Sequence, residues 1–444
     1  MRVSIVGAGY VGLVTAACLA EKGHELACVD LDPERVAQIN RAQSPIFERG
    51  LSELLARHAG KRLEATTDLR AAVSRTELSL IAVGTPFDGS SIDLRLVERA
   101  ALELGAALRE KAGRHTVVVK STVGPGPPDG VIRAALESAS GKRAGLDFGL
   151  GVNPEFLTEG EAVSDFMEPD RIVIGAFDER TRAALAELYS GFPAAELVHT
   201  NDPTAEMIKY ASNALLATLI SFSNELANLG AEIGGIDTVD VSRGLRASRY
   251  LACTLADGSR SVAPIFSFLL AGCGFGGSCL PKDVAALHAE GRRRGLPMAL
   301  LDAVLRVNAA QPFEVIRRLE RHFPSLEGKR ISVLGLAFRP DTDDLRESPA
   351  IPIVRELASR GARLRGYDPA AAANARALFG DELEICDSLE QALLDCDAAV
   401  LVTRWSEFEA VPELISRLNP ELLLVDGRRM LPKDRIARYE GIGL

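Results

Sequence analysis

Cysteine occurs in this sequence without pattern. The seven residues stand at 18, 28, 253, 273, 279, 386 and 396, with no CxxC and no histidine at metal-ligand spacing. An odd number so arranged points to neither a disulfide framework nor a metal site, and predicts a reducing, cytoplasmic setting. The six histidines stand singly and read as surface or core residues. Basic charge is not in excess, with 51 Lys and Arg against 61 Asp and Glu, so no nucleic-acid surface is expected. Long hydrophobic runs are also missing, with one exception. Val3 to Ala20 is uncharged and resembles a signal peptide or short membrane span. Gly7, Gly9 and Gly12 interrupt it, however, and Glu21-Lys22-Gly23-His24 and a second apolar run, Leu26 to Val29, follow. A strand, a glycine turn and a buried helix explain the whole segment, and no membrane partner is expected.

What is present is an ordinary globular composition, 47% apolar and 25% charged over 444 residues, enough for about three domains. The first unit reads as strand 2–7, turn 7–12, helix 12–22 and strand 25–30. Further strands end at Val83-Gly84-Thr85-Pro86 and run from Val117 to Thr122, with helical periodicity from Leu96 to Lys111. Strands alternating with helices imply a parallel sheet covered on both faces, with ligands at the carboxyl ends of its strands. A second copy begins near residue 329. Arg330 to Gly335 matches Arg2 to Gly7 in pattern, helix 349–360 ends at Gly361 as helix 12–22 ends at Gly23, and Leu364 to Asp368-Pro369 echoes Val29 to Asp32-Pro33. The copy lacks the glycine fingerprint and carries a polar loop, Arg339 to Pro349. Two similar halves with different first loops suggest two different ligands.

Between the copies, Asp202 with Pro203 marks a helix start. Apolar residues then recur at Ile208, Ala211, Leu215, Leu219, Phe222, Leu226 and Leu229. A helix of about thirty residues with this seam belongs either to an intramolecular core or to a shared dimer core. Segment 245–263 has no clear periodicity and reads as a loop insertion. The expected architecture is α/β: two Rossmann-like, doubly wound parallel-sheet domains joined by a central helical domain with one long helix. The boundaries are set at 1–200, 201–310 and 311–444.

Four constellations can carry chemistry. Gly7-Ala-Gly9-Tyr10-Val11-Gly12 follows a strand and opens a helix, with Asp30 beyond it, as a dinucleotide fingerprint requires. The first glycine makes the turn, the second admits a pyrophosphate to the backbone and the third packs helix on strand. Asp30 would hold an adenosine 2′-hydroxyl and so favours NAD; the nearby Arg35 keeps NADP open. Gly274-Phe-Gly276-Gly-Ser-Cys279-Leu-Pro281-Lys282-Asp283 places a cysteine just before a helix, where the dipole and Lys282 favour the thiolate nucleophile, with Asp283 as a possible base. Lys209 and Asn213 share a helix face and can stabilise an oxyanion, or form a solvated surface. Glu155, in Asn153-Pro-Glu155-Phe156-Leu157, sits at a strand-to-turn junction, where a carboxylate can activate water or simply face solvent.

These motifs, with VGTP at 83–86, STV at 121–123, PDRIVIG at 169–175 and the loop from Gly335 to Pro349, stand in one order along essentially the whole chain. They resemble the UDP-glucose/GDP-mannose 6-dehydrogenase family. The resemblance implies NAD as cofactor and a four-electron oxidation of a sugar-nucleotide C6 alcohol to a carboxylate, two NAD per turnover, with UDP-glucose as the first-choice substrate. It makes Cys279 the nucleophile that forms a thiohemiacetal and then a thioester. Lys209 and Asn213 become oxyanion donors, and Asp283, with Glu155 and Thr122 holding a water, serves base catalysis. Tyr10, Val11, Asp30, Arg35, Gly84, Thr85, Pro86, Thr122, Glu155 and Arg346 would join the three glycines at the cofactor, and the active site would close between the two halves. Phe156, Leu157, Phe268, Leu269, Gly276, Phe338, Arg339 and Arg428 would meet the substrate beside Lys209 and Asn213. The family's further substrate arginine falls on Arg249 or Arg260, and Arg260 is the choice made here. A homodimer through the long helix completes the expectation.

Departures from the family pattern are Arg339 for a usual Lys, Arg404 for Glu, Arg429 for Asn, Pro127 for Thr and the length of 245–263. PDRIVIG and Asp426-Gly-Arg428 favour UDP-glucose. Ala144 to Gly149 is similar to the GDP-mannose branch, and an N-acetylated UDP-sugar ranks third. A non-catalytic nucleotide-sugar-binding regulator is the reading from another class, opposed by intact Cys279, Lys209, Asn213 and Asp283.

Overall fold

The uncharged N-terminal run becomes strand β1 (Arg2–Val6) and a helix, Tyr10–Glu21, buried from Gly12 to Ala20. A helix apolar on every side needs cover all round, and this one lies in the core. The computed structural model describes residues 1–124, 130–255 and 257–444, so Pro127 lies outside the described residues. Among them no helix is long and apolar enough to cross a membrane.

The chain divides into two compact units, Met1–Ser212 with Ala289–Gly295, and Asn213–His288 with Leu296–Leu444. In the first, β1 is joined by β2 (Glu25–Val29), β3 (Leu63–Thr66), β4 (Leu78–Ile81), β5 (Thr116–Val119), β6 (Gly149–Val152), β7 (Arg171–Ala176) and β8 (Glu196–Thr200). The sheet order is β3-β2-β1-β4-β5-β6-β7-β8. Strands β1 to β6 run parallel in the doubly wound order, and β4, β5 and β6 are buried throughout, as a sheet covered on both faces demands. One edge departs from the expected all-parallel sheet. β7 is antiparallel to β6, and β8 is parallel to β7. The connection from β6 carries the Asn153–Leu157 turn and one short helix, Ala162–Met167, which packs beside the Tyr10–Glu21 helix with Ala162 and Phe166 in the same core.

In the second unit, β9 (Ala252–Thr254) and β10 (Arg260–Val262) form an antiparallel ribbon. The insertion is therefore not the plain loop expected; its strands are too short for a period to register in sequence. A second sheet contains β11 (Arg330–Leu334), β12 (Arg363–Tyr367), β13 (Glu384–Ile385), β14 (Ala398–Leu401), β15 (Leu423–Asp426) and β16 (Tyr439–Gly441), in the order β13-β12-β11-β14-β15-β16 and wholly parallel. Its order repeats that of β1 to β6. The register also corrects the sequence equivalence of the halves. Val6 pairs with Val29 and Leu334 with Tyr367, so Asp368 corresponds to Asp30 and not to Asp32.

The long helix, Asp202–Ile233, is 32 residues long. Its cap is Asn201, whose Oδ1 accepts the Thr204 N–H at 2.9 Å, one residue before the Asp202-Pro203 signal. Its buried face is formed by Tyr210 and by small and polar residues, among them Ala205, Asn213, Ala214, Ala217, Ser221, Asn224 and Ala227. Leu215, Phe222 and Leu229 of the seam are 50%, 47% and 56% exposed, while Ile208, Leu219 and Leu226 are half-buried and Ile208 packs on the core of the first unit.

Candidate active site

At the carboxyl end of β1 the chain turns at Gly7, whose φ of +103° and 2.7 Å clearance between a built Cβ and the Ala82 carbonyl demand glycine. Gly12 lies inside the helix, where a Cβ would stand 1.8 Å from the Gly7 carbonyl oxygen. Gly9 is different. A Cβ there meets nothing within 4 Å, and its φ of −72° is open to any residue. The protein's own packing does not require this glycine, but a ligand lying on the backbone at an uncapped helix N-terminus does. The residues present therefore fit a dinucleotide pyrophosphate. Asp30 follows β2 and anchors the turn, accepting the Ala8 N–H at 2.7 Å and the Arg35 guanidinium at 3.3 Å. Tyr10 uses its hydroxyl within the protein, donating to Glu48 and accepting from Gly160 N–H at 2.9 Å, so its backbone alone is available at the helix start. Gly84 and Pro86 are exposed and Thr85 buried on the turn after β4; Val11 and Thr122 are half-buried.

At the end of β6 Glu155 is buried and pairs with buried Lys209 at 3.1 Å, while Leu157 N–H donates to its other oxygen at 2.6 Å. Burial alone would raise the Glu155 pKa, but the Lys209 charge, these hydrogen bonds and the Lys120 charge together hold it below the usual carboxylate value. The alternatives of an exposed turn for Glu155 and a solvated face for Lys209 and Asn213 are thus overturned. Phe156 is not bare either: the Arg171 guanidinium lies 4.2 Å from its ring centre and the Lys209 ammonium 5.6 Å. Leu157 packs against the core.

In the second unit Cys279 immediately precedes the helix Leu280–Arg293 and is partly accessible. Its carbonyl accepts the Asp283 N–H at 2.9 Å. Asp283 is buried, with one oxygen accepting from Asn213 Nδ2 at 2.6 Å and the other paired with Lys282 at 2.6 Å. The Cys279 sulfur lies 3.6 Å from the Ser278 hydroxyl at the start of this helix. The cysteine loop lies flat on the loop that follows β11. A Cβ on Gly276 would stand 2.1 Å from the Glu347 carbonyl oxygen, and one on Gly277 2.6 Å from the Phe338 ring; Gly277 N–H donates to the Arg346 carbonyl at 2.9 Å. From the turn after β15, Arg428 donates to the Gly274 carbonyl at 2.8 Å. Phe338 and Arg339 are half-buried, and the Arg346 guanidinium rests on Asp344, with Nε 2.8 Å from a carboxylate oxygen.

Four further expected substrate residues lie between the long helix and the cysteine loop. Arg249 and Arg260 are exposed in the insertion, and Arg260 ties its ribbon back to the Ala247 carbonyl. Phe268 ends a short 3₁₀ helix, Pro264–Phe268, and Leu269 is buried. Sequence reasoning missed three amides that hold the cysteine loop. Asn308 receives the Phe275 N–H at 2.8 Å and donates to its carbonyl at 3.0 Å. Asn224 and Gln311 do the same for Gly272, each at 2.8 Å. The signal available was the Asn308/Gln311 pair, i and i+3, at the end of an otherwise apolar helix. Cys273, read as structural, is fully buried, and burial raises its thiol pKa.

Comparison with known proteins decides the family. The model of its NAD binding domain matches residues 1–193, that of its central domain 203–310, and that of its UDP binding domain 332–433. The chain belongs to the UDP-glucose/GDP-mannose dehydrogenase family. It is an NAD-dependent nucleotide-sugar dehydrogenase. It is 43% identical to the UDP-glucose 6-dehydrogenase of Haloferax volcanii, across the full length of both chains. It is 40% identical to the GDP-mannose 6-dehydrogenase of Azotobacter vinelandii, over 83% of this chain and 81% of that one. Among solved structures, a UDP-glucose dehydrogenase from Pyrobaculum islandicum superposes with a TM-score of 0.90 at 38% identity, covering 99% of this chain and 97% of the other.

Proposed function

We propose that the protein oxidises UDP-glucose at C6 to UDP-glucuronate, with consumption of two NAD and one water. The observation carrying this substrate is the end-to-end likeness to the Haloferax enzyme, supported by the Asp426-Gly427-Arg428 turn. NAD, when bound, supplies the acceptor for each hydride. The Cys279 thiolate attacks the C6 aldehyde left by the first oxidation, and the thiohemiacetal loses a second hydride to become a thioester. The aldehyde stays attached to the chain throughout. Lys209 and Asn213 are assigned to the oxyanion, and Glu155 with Thr122 to the hydrolytic water, whose attack releases the carboxylate and restores the thiol. Asp283 aligns Asn213 and has lone pairs left to accept a proton. The nucleotide diphosphate is assigned to Phe338, Arg339 and Arg428. A reducing compartment, the cytoplasm, suits a nucleophile that must remain a free thiol.

GDP-mannose is the second reading, favoured by the likeness to the Azotobacter enzyme. NADH absorbance with each nucleotide sugar, counted per sugar consumed, separates the two: two NADH with UDP-glucose alone is expected, and two with GDP-mannose alone transfers the reading to that substrate. Cys279→Ser should abolish net NADH formation while sugar-nucleotide affinity stays within about twofold; undiminished turnover removes Cys279 from the mechanism.

We further infer a homodimer through the long helix. The exposed Leu215, Phe222 and Leu229 recur every seven residues along one side of it, as a coiled seam requires.

A further inference from the structure

Just after β5, and two residues before Thr122, stands a lysine that no step above uses. Lys120 is 3% exposed. Its ammonium donates to Asn153 Oδ1 at 3.0 Å and lies 5.8 Å from the Phe166 ring centre. Asn153 in turn donates to the Val173 carbonyl at 2.9 Å and accepts from the Tyr189 hydroxyl. One ammonium thus links the carboxyl end of β5 to the first residue of the Asn153–Leu157 turn, and through it to β7. A buried ammonium is costly unless opposite charge compensates it. Glu155, two residues beyond Asn153, is that charge.

We propose that Lys120 is a positioning residue for the hydrolytic half of the reaction: through Asn153 it holds the turn that aims Glu155. The proposal rests on the reading that Glu155 holds the attacking water. Two cations then act on one carboxylate, Lys209 from the long helix by direct contact and Lys120 from the end of β5 through the interior; Tyr189 is the remaining titratable group at Asn153. Burial brings the Lys120 pKa down to about 8, the Lys209 charge adds to that and Glu155 opposes it. Glu155 must lose its proton to work. Removing the Lys120 charge raises its pKa, so the acid limb of the rate profile moves to higher pH.

The test uses Lys120→Met, Lys120→Arg and, as a control, Tyr189→Phe, which removes the other donor to Asn153 without changing charge. Turnover is followed through NADH from about pH 3.5, below the ordinary carboxylate value, to about pH 9, with Tm and mass spectrometry of the Cys279 adduct. Lys120→Met should lower kcat by about ten- to a hundredfold, the effect of misplacing a reacting group by about 1 Å. KM for the sugar nucleotide should stay within about twofold, the acyl-enzyme should accumulate and the acid limb should shift upward. Lys120→Arg should restore most of kcat, and Tyr189→Phe should leave the limb in place. If Lys120→Met does not fold, the Lys120→Arg and Tyr189→Phe profiles decide: an upward shift of the limb in Tyr189→Phe as large as any in Lys120→Arg overturns the proposal. A folded Lys120→Met with the unaltered kcat and profile overturns it as well. Absence of NADH from the unaltered chain with every nucleotide sugar overturns the underlying reading and this proposal together.

Discussion

Gly9 separates what the fold needs from what the ligand needs. Its neighbours Gly7 and Gly12 are enforced by backbone atoms within 3 Å of where a Cβ would go, whereas Gly9 faces open space in an ordinary conformation. Gly9→Ala should accordingly leave Tm unchanged and weaken NAD binding at least about tenfold, on the order of 1.4 kcal/mol; calorimetric titration with NAD measures it. An unchanged affinity would mean that the pyrophosphate does not approach this backbone. Lys209 and Asn213 illustrate the opposite case. Their spacing assigns them one helix face, but spacing does not say whether that face is wet. Both are buried, which only the packing around the helix reveals.

The cysteine loop is an element whose shape comes from its neighbours. Its glycines were legible in sequence, and so was the helix after it; the two backbone clamps supplied by Asn308, Asn224 and Gln311 were not. The clamping amides come from distant parts of the chain, and the spacing of Asn308 and Gln311 shows a shared helix face without showing the loop it meets. Asn308→Ala leaves the amide and carbonyl of buried Phe275 without these partners, a loss of about 1–3 kcal/mol, seen as a lower Tm together with a reduced kcat. The long helix shows a second limit of pattern reading. Periodicity located its apolar seam correctly and did not tell whether protein or partner covers it, because the inward face is carried by alanines and amides that make no pattern. Phe222→Glu should convert a dimer of about twice 47.5 kDa into monomer in light-scattering measurements, since a charge at the seam forbids its burial; a monomeric unaltered chain contradicts the shared core.

For the molecule as a whole, stability between neutrality and mild acid depends on a ring buried neutral at the first sheet. His115 lies under β4, donating from Nδ1 to the Thr76 carbonyl at 3.2 Å and accepting at Nε2 from the Ser79 hydroxyl at 2.7 Å. Burial first, and then the Lys111 and Lys142 charges, push its pKa down to about 3. The unfolded chain binds this proton near the ordinary value of about 6.5, so the contribution is full above that pH and is lost as pH falls towards the folded value. Between pH 7 and 5 (roughly the upper half of that window) urea unfolding should lose about 2 kcal/mol. A flat stability over that range would contradict a neutral buried ring. His24, also lowered by burial, acts in the same direction.

The duplicated sheets diverged at one carboxylate. Asp30 is half-buried and accepts from Ala8 N–H, Asp32 N–H and the Arg35 guanidinium, while Asp368 is 2% exposed and accepts from Leu336 N–H, Ala337 N–H and the Trp405 indole at 2.7, 3.0 and 3.2 Å. An engineer who grafted the glycine fingerprint into the second half would therefore not obtain a second dinucleotide site. The carboxylate that should greet the ribose is buried, and releasing it would strand an indole N–H and four amides. The interior of the second half commits it: glycine alone does not give that sheet a dinucleotide site.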